Sequence, residues 1–421
     1  MLSLARIWRT KEVRRSILYV AVVLVLFRVT AHIPIPGANA EALAAFFGSN
    51  QFFGLLNIFS GGTLENFSIV ALGVAPYITA SIIFQLLGMI LPQVEEMQKE
   101  EQGRQRINQW TRLLTVPLAA LQAYGLVVLL KQQAPAVLAE AGGSHLLLTI
   151  LSLTAGTVFV TWLGELISEK RVGNGISIMI FAGIIAGLPS FFQRTLSVYD
   201  RSQLVTLILF LATMVLTIVG VVVMHEAQRN VPVQYARQVR GSRLSGGVST
   251  HLPLRVNMAG VIPIIFAISI ILFPTTLAQF FLDARTPWLR EAAAFTLSFL
   301  GNQLVYGVLY FVLVFAFTYF YTNVVFHPDR VAENLQLQGG FIPGIRPGSA
   351  TAAYLAYVAN RILLVGAGFL SLIAILPLAA QQLTGNPNLV IGGTSILIVV
   401  NVVIESVKQI EAQVTMREYE A

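Results

Sequence analysis

Apolar residues in this chain come in long runs separated by short polar stretches. Runs long enough to cross a bilayer fall near 16–33, 75–91, 113–131, 146–167, 176–192, 203–224, 257–273, 299–322, 358–380 and 389–407. About 20 apolar residues in a helix cross roughly 30 Å of hydrocarbon. The pattern therefore predicts an all-α polytopic membrane protein with ten transmembrane helices. Some runs hold polar residues, as helices that pack on one another in a membrane do.

Composition agrees with the pattern. Of 421 residues, 56% are hydrophobic and 11% charged, and the mean hydropathy is +0.74. A globule facing water on every side carries about 25% charged residues. There is no cysteine, which excludes a disulfide framework, a thiolate nucleophile and a cysteine metal site. The basic stretch through Arg15 leads into a long apolar run with no small-residue cleavage pattern, so the first run reads as a retained span rather than a cleaved signal.

Charge then sets the orientation. With the N-terminus in the cytosol, 21 of the 27 lysines and arginines fall on cytosolic segments and five on outer loops, with Arg28 inside the first span. That bias follows the positive-inside rule and places both termini in the cytosol.

Three connections are unusual. Segment 34–74 follows the first span on the outer side without a lysine or arginine and ends in FSGGTLENFSIVALG. Glu65, Asn66 and the Gly61-Gly62 pair make it too polar and broken for a lipid-facing helix. It is either a re-entrant element lining a cavity or an ordinary outer loop. The cytosolic loops 225–256 and 324–357 are long for simple connections. The first carries five arginines; the second holds GGFIPGIRPGS, where Gly and Pro enforce tight turns around Arg346. These arginines form either a docking surface for something large and anionic or the ordinary cytosolic excess. Ten spans also divide into two sets of five, 1–195 and 196–421. An odd number of spans in each set gives the halves opposite entry directions, as in inverted repeats with a pathway at their interface.

Several chemistries are missing from the pattern. The five histidines show no ligand spacing. No GxxxxGK[ST] loop and no GxSxG elbow with a plausible triad occurs. No cofactor is implied, and the chain does not read as an enzyme. Glu165 and Glu405 lie near the cytosolic ends of their spans and Arg28 near the outer end of its own, where snorkelling or local pairing is expected. A transporter of ions would show more buried charge.

Five stretches together resemble the SecY family, the central subunit of the bacterial protein-conducting channel. They are FSGGTLENFSIVALGVAPYITASIIFQLL (59–87), WLGELISEKRVGNGISIMIFAGIIAGLP (162–189), RVNMAGVIPIIFAISIILFP (255–274), GGFIPGIRPGSATAAYL (339–355) and GGTSILIVVNVVIE (392–405), 108 residues in all. The resemblance implies an hourglass pore between two inverted five-helix halves, hinged between the fifth and sixth spans. A lateral gate would open to lipid between spans 2–3 and 7–8. It implies a plug helix at Phe59, Ser60, Gly61, Gly62, Thr63, Leu64, Glu65, Asn66, Phe67 and Ser68. It implies a pore ring of Val74, Ile78, Ile176, Ile180, Ile265 and Ile398, and lateral-gate positions at Thr79 and Phe273. Arg346 matches a cytosolic-tip arginine that engages the motor or the ribosome, and Arg237, Arg240 and Arg243 lie in the other tip loop.

The ring assignment has a physical side. Val74 and Ile78, like Ile176 and Ile180, are four apart and share a helix face. Aliphatic side chains offer hydrated ions no donors or acceptors, and they can yield around unrelated polypeptides. On the residues alone they are equally ordinary core aliphatics. Pro76 and Pro263, inside their spans, either ease gate movement or kink the helices for packing. Val74 is smaller than the isoleucine common at its position, and Asn401 puts an amide inside the last span.

The partners implied by the resemblance are the small membrane subunits SecE and SecG, the motor ATPase SecA, the ribosome through its RNA, secretory preproteins with their signal sequences, and membrane lipid. The implied location is the bacterial plasma (inner) membrane. The rival reading is a ten-span secondary transporter for a small uncharged solute.

Overall fold

The computed structural model describes residues 10–35, 63–64, 66–133, 143–197, 204–235, 238–240, 243–245, 249–260, 262–282, 284–384 and 388–420. Each of the ten apolar runs falls mainly in one helix. These are α1 (Lys11–Thr30), α2 (Ala75–Ile90), α4 (Glu101–Gln133), α5 (Gly143–Glu169), α6 (Gly175–Ser197), α7 (Leu204–Glu226), α8 (Ile262–Phe281), α10 (Gln303–Val325), α12 (Ser349–Thr384) and α13 (Asn388–Glu420). Three shorter helices connect them: α3 (Pro92–Lys99), α9 (Pro287–Gly301) and α11 (Pro328–Leu337). By length and apolar character four stretches pass as candidate spans among the described residues: Glu101–Val128, His145–Glu169, Gln303–Leu337 and Ser349–Leu376. A fifth, Ala75–Gly88 with Pro92–Gln98, is bent by 111°.

The outer surface is apolar. Val22, Val25 and Val29 on α1, Val215, Leu216 and Val219 on α7, and Leu364 and Val365 on α12 are all more than half exposed. Water would not tolerate so continuous an apolar surface, and a bilayer requires it.

Helices pack mostly against chain neighbours. α2, α4, α5 and α6 follow one another, with α1 against α5 and α6; α8 meets α10, α10 meets α12, and α12 and α13 both meet α7. Two helices link these groups: α8 touches α2 and α4, while α13 touches α6 and α1.

Loop 225–256 contains strands that its arginine count does not suggest. Strands β1 (Gln228–Tyr235) and β4 (Ser249–Arg255) pair antiparallel from Gln228↔Arg255 to Gln234↔Ser249. At the far end of this hairpin β2 (Gln238–Arg240) pairs with β3 (Arg243–Ser245). The second long loop adds β5 (Gly340–Phe341) to the free edge of β1, so one sheet in the order β4-β1-β5 joins both loops. Val231 and Val233 alternate inward and meet Leu254, Leu335, Ile342 and Leu355, which seats the sheet on α11 and α12.

Helix starts differ from the apolar runs for local reasons. Asn257 Oδ1 accepts from Gly260 N (3.0 Å), and Gly260 has a φ of +64°, so residues 257–260 form a turn and α8 begins at Ile262. Asn302 Oδ1 accepts from Leu304 N (3.0 Å) and caps α10. Pro76 and Pro263 fall in the first turns of α2 and α8, where a missing N–H costs nothing. They start helices rather than bend them. The proline inside α8 is Pro274, next to Phe273.

Candidate functional site

The tightest element of the bundle is the hairpin that carries Ile176 and Ile180. Helices α5 and α6 cross where a Cβ on Gly175 would stand 1.7 Å from the Gly164 carbonyl oxygen, so no larger residue fits. Ser168 Oγ donates back to Gly164 O (3.1 Å) and accepts from Gly175 N (2.9 Å). Arg171 ends α5 with a φ of +56°, the left-handed conformation common at helix ends. Asn174 Oδ1 caps α6 by accepting from Ser177 N (3.2 Å). From α13, Gln413 Nε2 donates to Arg171 O (2.7 Å), and Lys170 lies over the Tyr19 ring of α1 at 4.7 Å. The stretch GELISEKRVGNGIS is thus a fixed turn that sets the height of Ile176 and Ile180.

The other ring candidates come from three more segments. Val74 precedes α2 and Ile78 lies in its first turn, with Ile78 N donating to Val74 O (3.0 Å). Ile265 lies on α8 and Ile398 on α13. Val74, Ile78, Ile180, Ile265 and Ile398 are 1–6% exposed and belong to one apolar cluster, with Ile176 packed against it. That cluster also takes in Val20, Phe27, Tyr310 and Leu370, so the six positions sit within the continuous core of the bundle.

The plug range is described only in part. Residues 59–62 and Glu65 lie outside the described residues. The described part, 63–64 and 66–74, runs mostly through turns. Thr63 Oγ1 donates to Val70 O (2.8 Å) and Ser68 N to Thr63 O (3.3 Å). Ile35 N donates to Phe67 O (3.0 Å) and Ile69 N to Ile33 O (3.0 Å), tying the turns to the end of α1. Leu64 and Phe67 are buried against Ala123, Val127, Leu130 and Leu153, on α4 and α5. A Cβ on Gly156 would stand 1.9 Å from Ile69 O, so α5 runs against the backbone of this segment. Where it is described, at 63–64 and 66–68, the expected plug segment runs through turns, with Leu64 and Phe67 packed on α4 and α5.

Of the gate positions, Thr79 is half-buried on α2, its hydroxyl donating to Ala75 O (3.1 Å), and Phe273 on α8 is 44% exposed. Their helices are in contact. Glu165 pairs with Arg112 of α4 and Glu405 accepts from Gln409 one turn on (3.5 Å), the local pairing expected of charges near span ends. Asn401 is buried beside His225 of α7.

At the sheet end, Arg346 is exposed in a rigid turn. Gly339, Gly344 and Gly348 have φ of +71°, +82° and +97°, which side chains other than glycine rarely adopt. Ile345 N donates to Ile342 O (3.0 Å), Thr351 Oγ1 to Arg346 O (2.9 Å), and Ile342 is buried under the sheet. Arg240 and Arg243 are cross-strand partners at the end of β2 and β3. Arg237 lies outside the described residues. Among the described residues no three His, Asp or Glu side chains stand close enough to hold a metal.

Comparison with known proteins carries these observations to a family. A profile of the SecY family matches residues 68–407. Protein translocase subunit SecY of Halalkalibacterium halodurans is 44% identical, over 99% of this chain and 98% of that protein. That of Mycobacterium tuberculosis is 42% identical, over 98% and 97%. Among solved structures, a protein-conducting channel superposes with a TM-score of 0.64 at 17% identity, covering 94% of this chain and 91% of that one. Sec61 in the canine ribosome–channel complex from the endoplasmic reticulum gives 0.61 at 16%, with the same coverage. At those identities the two structures speak for the fold, and the sequence relatives speak for descent: the chain belongs to the SecY family.

Proposed function

We propose that this chain is the protein-conducting channel subunit of a translocase. It passes unfolded secretory polypeptides across the membrane and releases apolar segments sideways into lipid. The observation that carries this reading is the near full-length likeness to translocase subunits, on a bundle that brings six aliphatic positions from four segments into one core. The ring of Val74, Ile78, Ile176, Ile180, Ile265 and Ile398 is the seal. Its side chains hold no polar group for ions and give way around a passing chain.

The remaining roles follow. The chain lies in the bacterial plasma membrane with both termini cytosolic, which puts the β-sheet in the cytosol. Residues 1–195 and 196–421 act as two halves, with α8 against α2 and α4 as the closed lateral gate near Thr79 and Phe273. Segment 59–68 supplies the plug. The sheet end, with Arg346, Arg237, Arg240 and Arg243, docks SecA or ribosomal RNA, whose phosphates suit a basic tip. SecE and SecG complete the complex. The chain is not itself an enzyme, so a partner supplies the energy. A small-solute transporter would need neither the rigid basic tip nor an aliphatic ring.

Reconstitution tests the proposal. Vesicles containing the chain, the two small subunits and the motor should protect a secretory precursor from added protease in an ATP-dependent way. Uptake of small solutes with no protected precursor would move the transporter to first place.

A further inference from the structure

Helix α9 (Pro287–Gly301) lies at the opposite end of the bundle from the sheet, between α8 and α10, and it has three distinct faces. Leu289, Ala293, Thr296, Leu297 and Leu300 are turned toward the protein, with Ala293 4% exposed. Arg290, Glu291, Ala294 and Ser298 form a small and polar exposed face. The third face is also exposed yet apolar: Trp288, Ala292, Phe295 and Phe299, at spacings that fall on one side of a helix. Trp288 and Phe295 are each 68% exposed and Phe299 47%, and the Phe295 and Phe299 rings stack at 5.8 Å.

A helix buried against the protein needs one apolar face, and a helix in water needs only that one. A second apolar face, aromatic and bordered by charge, is the pattern of a helix lying in a membrane interface. Continuity points to lipid as its occupant. On α10, which starts two residues after α9 ends, Leu304, Val308 and Val312 are 53–68% exposed in the lipid-facing surface, and Phe281 at the end of α8 is 42% exposed. Tryptophan and its neighbours collect at that depth, where one edge is apolar and the other wet. Arg285 and Arg290, both exposed, stand where headgroup phosphates would lie.

We propose that α9 is an in-plane lipid anchor: its Trp288–Ala292–Phe295–Phe299 stripe enters the acyl-chain boundary of the leaflet away from the sheet. It thereby ties the ends of α8 and α10 to the bilayer. Because α8 carries Ile265 and Phe273 and touches α2 and α4, the anchor fixes one end of the helix between waist and lipid. The proposal needs only that the chain is embedded in a membrane, so it stands or falls separately from the pore.

The chain has no cysteine, so single ones can be introduced. Phe295→Cys and Phe299→Cys test the stripe, and Ala294→Cys and Ser298→Cys the polar face. The full chain is reconstituted in phosphatidylethanolamine–phosphatidylglycerol vesicles. Stripe cysteines should react about tenfold more slowly with a membrane-impermeant maleimide than polar-face cysteines. An environment-sensitive dye on the stripe should be quenched more by nitroxide lipids labelled near the headgroup than by those labelled at mid-chain. Equal reaction rates on the two faces would overturn the proposal. Slow reaction without lipid quenching would also overturn it, because a protein surface, such as a second copy, would then cover the stripe. Trp288 fluorescence in a Trp8→Phe, Trp110→Phe, Trp162→Phe chain gives the same readout with the stripe intact: quenching by the shallow nitroxide supports the anchor, and none refutes it.

Discussion

The waist and the sheet end are built on opposite principles. At the proposed waist, aliphatic positions from four segments share one apolar cluster, and the close approach of Gly175 to Gly164 sets the two on α6. At the sheet end, a β-ladder, three left-handed glycines and a buried Ile342 fix a turn that presents Arg346 outward. In the proposed channel, the difference separates the part that yields from the part that does not. Aliphatic contacts are non-directional and re-form after displacement. Hydrogen-bonded turns hold one geometry, as recognition of a particular partner demands.

The largest break in this comparison should come from the hairpin that sets the waist. Gly175→Ala places a methyl on the Gly164 carbonyl, which should cost about 3 kcal/mol or more. Thermal unfolding in detergent and the amount recovered from membranes check it. Next, Ile180→Asn puts an unpartnered amide into the buried cluster. It should cost about 2 kcal/mol and raise ion leak in planar bilayers by about tenfold; unchanged conductance would remove Ile180 from the seal.

The sheet end should answer differently. Arg240→Glu with Arg243→Glu should leave thermal stability unchanged. Ribosome binding should weaken, its salt dependence becoming shallower by about one unit of slope per arginine. A loss of stability instead would make these residues structural. Gln413→Ala removes the bond from α13 to Arg171 O and should cost about 1 kcal/mol. The smallest effect belongs to Glu165→Gln. Its partner Arg112 is 54% exposed, so unfolding should shift by under about 1 kcal/mol.

How far the sequence reveals this structure depends on the signal. Ten apolar runs mark ten helices because hydrophobicity over about 20 residues is a strong signal. The GIRPG turn is legible because glycine and proline restrict the backbone by themselves. The sheet is not legible although Val231 and Val233 alternate in QRNVPVQY, because Pro232 between them and the surrounding charge are loop signals. Pairing with β5, some hundred residues later in the chain, has no local signature. Helix α11 carries a start signal, His327-Pro328-Asp329, within a stretch read only for its turns. The turns leading into α2 depend on hydroxyl bonds within the segment and on backbone bonds to the end of α1, which composition does not encode. The local pairing expected of Glu165 near its span end is met by Arg112.

Disulfide trapping addresses the waist most directly. Single cysteines replace Ile78 and Ile265, with lipid-facing Val215 as the control, and a secretory precursor bearing one cysteine is halted midway by a folded C-terminal domain. Mild oxidation should join the precursor to Ile78→Cys and Ile265→Cys but not to Val215→Cys. A precursor shown to be halted that links to neither waist position would contradict the assignment of these residues as the seal.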